Sequence, residues 1–143
     1  RDLKPKKKAP SPRRDGREAA VQFLYGHEAQ GELDTSAKTF ERFWTLRDAK
    51  APVREFAEQI VRGFAAHADE IDETIRRHLE NYSFQRLSAV DRNILRVGAY
   101  EILHATHIPA QAAINEAIEI AKRFGSEDSA GFVNGVLDRI LKR

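Results

Sequence analysis

Ser88–His104 reads SAVDRNILRVGAYEILH, and this stretch decides the fold. Ser88 followed three residues later by Asp91 is a capping-box-like helix start, with Ser88 bonding an orphan amide and Asp91 reaching back to the cap. Beyond it, Val90, Ile94, Leu95, Val97, Ala99, Ile102 and Leu103 cover much of a helical circumference. A helix that is apolar on most sides belongs inside, so this one is predicted to run to about His104 as the central, most buried element. Glu101 falls between Val90, Ile94 and Val97 on the wheel. A carboxylate there must find hydrogen-bonding partners, and a structural role is expected, fixing a neighbouring helix start or backbone.

Downstream, Pro109 stops the helix and helps to start the next, AQAAINEAIEIAKRFG at 110–125, with Ile114, Ala117, Ile118 and Ala121 as a narrow stripe suited to close packing. Gly125 fits a C-cap in the left-handed conformation. The chain restarts through Ser126–Ser129 into a last helix whose core spacing is Val133, Leu137 and Leu141. Phe132 is separable from that spacing and is expected to face outward. Gly131 and Gly135 share one face, where each costs about 0.5–1 kcal/mol relative to alanine. Missing side chains there admit a neighbouring helix or a nucleic acid backbone.

Upstream, four more helices are predicted. Ala20, Phe23, Leu24 and His27 share one face of a first helix from about Arg14, and Gly31 offers its stop. A second follows Thr35-Ser36 with Ala37, Phe40, Phe43 and Trp44. A third starts near Pro52 and carries Val53, Phe56, Ala57, Ile60 and Phe64. A fourth, from near Ala68-Asp69, presents Ile71, Ile75 and Leu79. No segment alternates as a strand, and no internal repeat occurs. The expected fold is all-α, about seven helices in a bundle.

The chain's 143 residues are expected to form one domain, residues 13–143, behind a basic arm, residues 1–12. Residues 1–17 hold eight Lys/Arg against two Asp, a balance of +6, while the remainder holds 16 Lys/Arg against 20 Asp/Glu, a balance of −4. An acidic body behind a basic arm points either to a polyanionic partner held at one end or to a solubilising tail. The arm contains three of the five prolines and little to bury, so it is expected to be disordered in isolation. The absence of cysteine excludes disulfides and thiolate metal sites. No apolar run approaches the roughly 20 residues of a membrane span, and a soluble, cytoplasmic protein without a membrane partner is expected. Without a methionine at residue 1, the chain is expected to begin downstream of its gene start or to have been processed.

No histidine sits beside a serine nucleophile motif or a Gly-rich phosphate loop, so no catalytic residue is assigned. Glu101 and His104 have Glu-x-x-His spacing, but a di-metal bundle needs a second such pair and the chain has none. Neither a metal site nor a cofactor is expected. Arg14, Glu18, Val21 and Tyr25 recur at steps of four, three and four, forming a stripe with Arg17 nearby. Arginines followed by an aromatic at a helix edge suit single-stranded RNA, the arginines holding phosphates and the ring stacking a base. The same stripe also reads as a half-buried Tyr25 among ordinary surface charges. Ser126, Asp128 and Ser129 lie at a helix N-terminus that attracts anions, or they satisfy the cap themselves.

Three ordered motifs, RRDGREAAVQFLYGHE at 13–28, VDRNILRVGAYEIL at 90–103 and INEAIEIAKRFGSEDSAGFVNGVLD at 114–138, resemble the NusB family from about Arg13 to Ile140. The resemblance implies a non-enzymatic bacterial transcription antitermination protein of two perpendicular three-helix-bundle-like halves. It implies binding of boxA RNA jointly with NusE, a small-subunit ribosomal protein, in an RNA polymerase complex with other Nus factors that suppresses termination on ribosomal RNA operons. On the matched positions, Arg13, Arg14 and Arg17 would contact phosphate, Tyr25 and Phe132 would stack on bases, and Gln22, Asp128 and Ser129 would read polar edges. Asp91 and Arg96 fall where the family also approaches RNA, and NusE would dock near the fourth to sixth helices. Asp15 departs from the family's basic or small residue and would repel phosphate, with Lys6, Lys7 and Lys8 as compensation. Family members include monomers and self-associating proteins, so a homodimer stays open. The same fold also occurs as an RNA-binding domain of ribosomal RNA cytosine methyltransferases. The chain ends at Arg143 with no methyltransferase following, so the free-standing factor is expected.

Overall fold

The computed structural model describes residues 11–143. Among these, seven α-helices follow one another: α1 Pro12–Glu28, α2 Ala37–Leu46, α3 Ala51–Ala66, α4 Ala68–Arg77, α5 Ala89–His104, α6 Ala110–Phe124 and α7 Ser129–Leu141. A single 3-10 turn, Phe84–Arg86, precedes α5. Hydroxyl caps set three of the starts: the Oγ atoms of Ser11, Ser36 and Ser88 accept from the amides of Arg14, Thr39 and Asp91 at 3.2, 3.3 and 3.1 Å. Such a cap contributes about 1 kcal/mol. Pro12 and Pro52 sit in first turns, where their missing N–H costs nothing.

Local structure departs from expectation at three points. α1 begins at Pro12 with Ser11 as its cap, rather than near Arg14; Lys6, Lys7, Lys8 and most of the basic arm lie outside the described residues. Asp91 does not complete a capping box, because its Oδ1 is buried with no hydrogen-bond partner among the described residues. Gly125 is extended, at φ −90° and ψ −173°, rather than left-handed. Glycine is required there by space: a Cβ would stand 2.4 Å from Ser129 Oγ and 2.8 Å from the Ala121 carbonyl. Gly31, in contrast, takes φ +82° after α1, a conformation that other residues resist.

The central position of α5 follows from its sequence. It packs against α1, α3, α4, α6 and α7, and Ile94, Leu95, Val97 and Ala99 are buried on its different sides. Helices α5, α6 and α7 pack mutually as one half of the molecule, α1 packs on α3 in the other, and one apolar core runs through both. Side chains tie α2 to the half that holds α1 and α3: Phe40 stacks on Phe23 with ring centres 4.7 Å apart, and Trp44 Nε1 donates to Glu58 at 2.9 Å.

Candidate nucleic-acid interface

The arginines of α1 divide by what they meet. Arg13 is exposed, with its guanidinium 5.7 Å from the Phe56 ring centre. Arg14 is partly exposed and bidentate to Glu116 of α6, at 3.0 and 2.7 Å. That hydrogen bond, against a smaller effect of burial, holds the Glu116 carboxyl below its ordinary range. Arg17 is 4% exposed and bidentate to the equally buried Glu101 of α5, at 2.7 and 2.9 Å, with Glu116 a further 3.7 Å away. Arg17 therefore does not present its guanidinium to a phosphate. Glu101 has its structural role, but its partner is a side chain 84 positions away rather than a helix start or backbone. Asp15 is neutralised by Arg47 at 2.6 Å, which reduces the repulsion expected of it.

A groove forms where the start of α5 meets the start of α7. It is lined by Tyr82, Arg86, Leu87, Ser88, Asp91, Ser126, Asp128 and Phe132. Phe132 is half-buried and meets Tyr82 edge to face with ring centres 5.3 Å apart. Asp128 is exposed at the N-cap of α7, and its side chain makes no capping bond. Ser129 differs from the reading given to it: it is 2% exposed, and its Oγ accepts from the Ser126 amide at 2.9 Å, pinning the connection in the space that Gly125 leaves. Among the described residues, no helix closes on Gly131, where an added Cβ would meet nothing within 4 Å, and one at Gly135 would meet only Arg139 at 3.4 Å. Tyr82, 61% exposed, and Arg86 are groove residues that the sequence reading missed. The available signal is a pair of aromatics, Tyr82 and Phe84, standing in the polar connection Glu80–Arg86, of which Phe84 is buried.

Contacts along α1 bring its stripe toward this groove. Glu18 lies 3.6 Å from Arg123 at the end of α6, and Glu28 pairs with Arg92 and Asn93 in the first turns of α5. Gln22 and Tyr25 fall between those anchors at helical spacing. Tyr25 is 51% exposed, and Gln22 is exposed and accepts from Arg47 Nε. Arg96 lies apart: it is bidentate to Asp72 at 2.9 and 2.8 Å and contacts Glu28 and Asn93, so its charge is already matched. Burial would push the Glu28 carboxyl up, but hydrogen bonds from Arg92 and Asn93 and the charges of Arg92 and Arg96 bring it below its ordinary value. Glu18 goes the other way, raised by burial despite the charge of Arg123.

Glu101 and His104, which share Glu-x-x-His spacing, do not come together, because Glu101 turns inward to Arg17. His104 instead meets Glu70 at 2.8 Å and stacks on His67. Among the described residues, no helix is long and apolar enough to cross a membrane.

The helical bundle presents exposed rings at Tyr25 and Tyr82, an exposed carboxylate at Asp128 and an exposed guanidinium at Arg13, groups of the kinds that stack on bases and contact phosphate. The sequence model of the NusB family matches residues 14–142. Transcription antitermination protein NusB of Myxococcus xanthus is 42% identical over 134 residues, which cover 90% of this chain and 93% of that protein. Among solved structures, T. maritima NusB is 41% identical, with a TM-score of 0.80 and 94% of each chain covered. The antitermination factors NusB and NusE in complex with dsRNA give 29% identity and a TM-score of 0.80, with 92% of this chain and 96% of that one covered. The chain belongs to the NusB family, whose members act in transcription antitermination rather than as enzymes.

Proposed function

We propose that this protein is a cytoplasmic antitermination factor that binds boxA RNA together with NusE, within an RNA polymerase complex containing other Nus factors, and promotes processive transcription of ribosomal RNA operons. The observation that carries the reading is the groove holding Phe132 and Tyr82 beside the exposed carboxylate of Asp128, with Asp91 in its lining. Rings stack any base, and the carboxylates accept from base amino groups or ribose hydroxyls. Tyr25 adds a stacking surface and Gln22 a polar one, while Arg13 and the exposed part of Arg14 meet phosphate. Arg17, Arg96 and Ser129 act from behind by holding α1, α5 and the α6–α7 connection in register. NusE docks on the surface of α4–α6. Similarity to the NusB–NusE–RNA complex supports this reading, and so does the Myxococcus relative, which is matched across nearly its whole length rather than as one part of a methyltransferase.

The test is fluorescence anisotropy of labelled boxA RNA and a scrambled control, with the protein alone and with NusE, at two salt concentrations. Preferential boxA binding that tightens with NusE is expected. Equal, salt-labile binding to both RNAs would overturn the specific site.

A further inference from the structure

We propose that His67, Glu70 and His104 form a binding site for a divalent transition-metal ion, with zinc as the representative. His67 is the residue between α3 and α4, Glu70 lies in the first turn of α4, and His104 ends α5. One ligand atom from each lies within 4.8 Å of the other two. Glu70 Oε1 is the common point, 2.8 Å from His104 Nε2 and 3.6 Å from His67 Nδ1. Donors arranged tetrahedrally around zinc at about 2.0–2.2 Å stand about 3.4 Å apart, so the set is near the required spacing. Two imidazoles and one carboxylate are a donor set that borderline divalent ions favour, with a fourth position left to water.

An ordinary ion pair explains part of this arrangement. Glu70 near a helix N-terminus and His104 near a helix C-terminus each complement a helix dipole. It does not explain His67, whose ring lies 3.8 Å from that of His104 at an interplanar angle of 8° with Nδ1 toward the same carboxylate oxygen. Coordination by both rings requires one to swing out of the stack. His67 can do so, being 43% exposed against 23% for His104. The bound ion would staple the α3–α4 joint to the end of α5. The RNA groove lies at the other end of α5, about 24 Å along a 16-residue helix, so the two sites are independently testable.

Calorimetric titration of the tag-free protein with Zn²⁺, and absorption spectroscopy with Co²⁺, would test the site. One equivalent should bind, with tetrahedral Co²⁺ bands and a raised melting temperature. His104→Ala, His67→Ala and Glu70→Gln should each weaken affinity by at least the about 10–100-fold seen on losing an outer-shell partner. His107→Ala should not weaken it. Absence of saturable binding, full binding in the His67→Ala and His104→Ala proteins, or loss of binding in His107→Ala would overturn the site.

Discussion

The seam between α1, α5 and α6 and the groove between α5 and α7 are built from similar residues and do opposite things. In the seam, Arg17 meets Glu101 and Arg14 meets Glu116 with both ends of each fork occupied. In the groove, the exposed Asp128 makes no capping bond and stands beside Phe132 and Tyr82. A charge taken out of water must be matched inside the protein, and once matched it is spent on structure. A group kept near water without a partner retains its capacity to bind. The difference between framework and interface is therefore one of pairing, not of residue type.

The largest expected effect breaks the seam. Glu101→Ala leaves the buried Arg17 with only Glu116, at 3.7 Å, as a carboxylate partner and should cost about 3–5 kcal/mol in urea-induced unfolding. A loss below about 1 kcal/mol would place the Arg17–Glu101 pair in the surface class instead.

Next comes the groove. Phe132→Ala and Tyr82→Ala should each weaken boxA binding by about 1–3 kcal/mol while the helical circular dichroism stays unchanged. Unchanged affinity in either protein would remove that ring from the site.

A smaller effect separates Arg13, which has no carboxylate partner among the described residues, from the paired arginines. Arg13→Ala should reduce the slope of log affinity against log salt by about 0.7, one phosphate contact on a single strand. It should act alike on boxA and scrambled RNA. An unchanged slope would leave Arg13 with only its contact to Phe56.

The smallest effect concerns acid. The folded-state pKa of Glu28 lies below its ordinary value of 4.5, so its stabilisation is present above that value and is lost as pH falls through the folded one. Glu28→Gln should therefore lose less stability than the parent protein between about pH 5 and pH 3. Glu18 is raised, so its protonation relieves a burial penalty on acidification and acts with the opposite sign. A variant with undiminished acid loss would place the acid-sensitive contact elsewhere, with Glu116 the next carboxylate to test.

Much of the architecture is legible from local pattern. Ser36 and Ser88 mark helix starts through one hydroxyl and one amide three residues on, and the apolar residues of Ser88–His104 place α5 inside without reference to any other segment. The need of Glu101 for a partner is equally legible; the partner is not, because Arg17 comes from another helix. Arg13, Arg14, Arg17 and Arg96 look alike as residues, and only the packed helices separate the exposed one from those tied to Glu116, Glu101 and Asp72. Ser129 looks like a surface hydroxyl until the extended Gly125 opens the space into which it turns. Tyr82 joins Phe132 only because the connection before α5 folds over the start of α7.

The sequence by itself determined that this protein is an all-helical bundle around α5, with a basic approach to α1 and an aromatic near the start of α7. Helix period, capping and apolar spacing act within a few residues and need no distant partner. The tertiary structure alone decided which charges are spent in the seam, which rings and carboxylates share the groove, and that His67, Glu70 and His104 converge. Each of those outcomes depends on side chains from different helices arriving within a few ångströms, and no local pattern carries that distance.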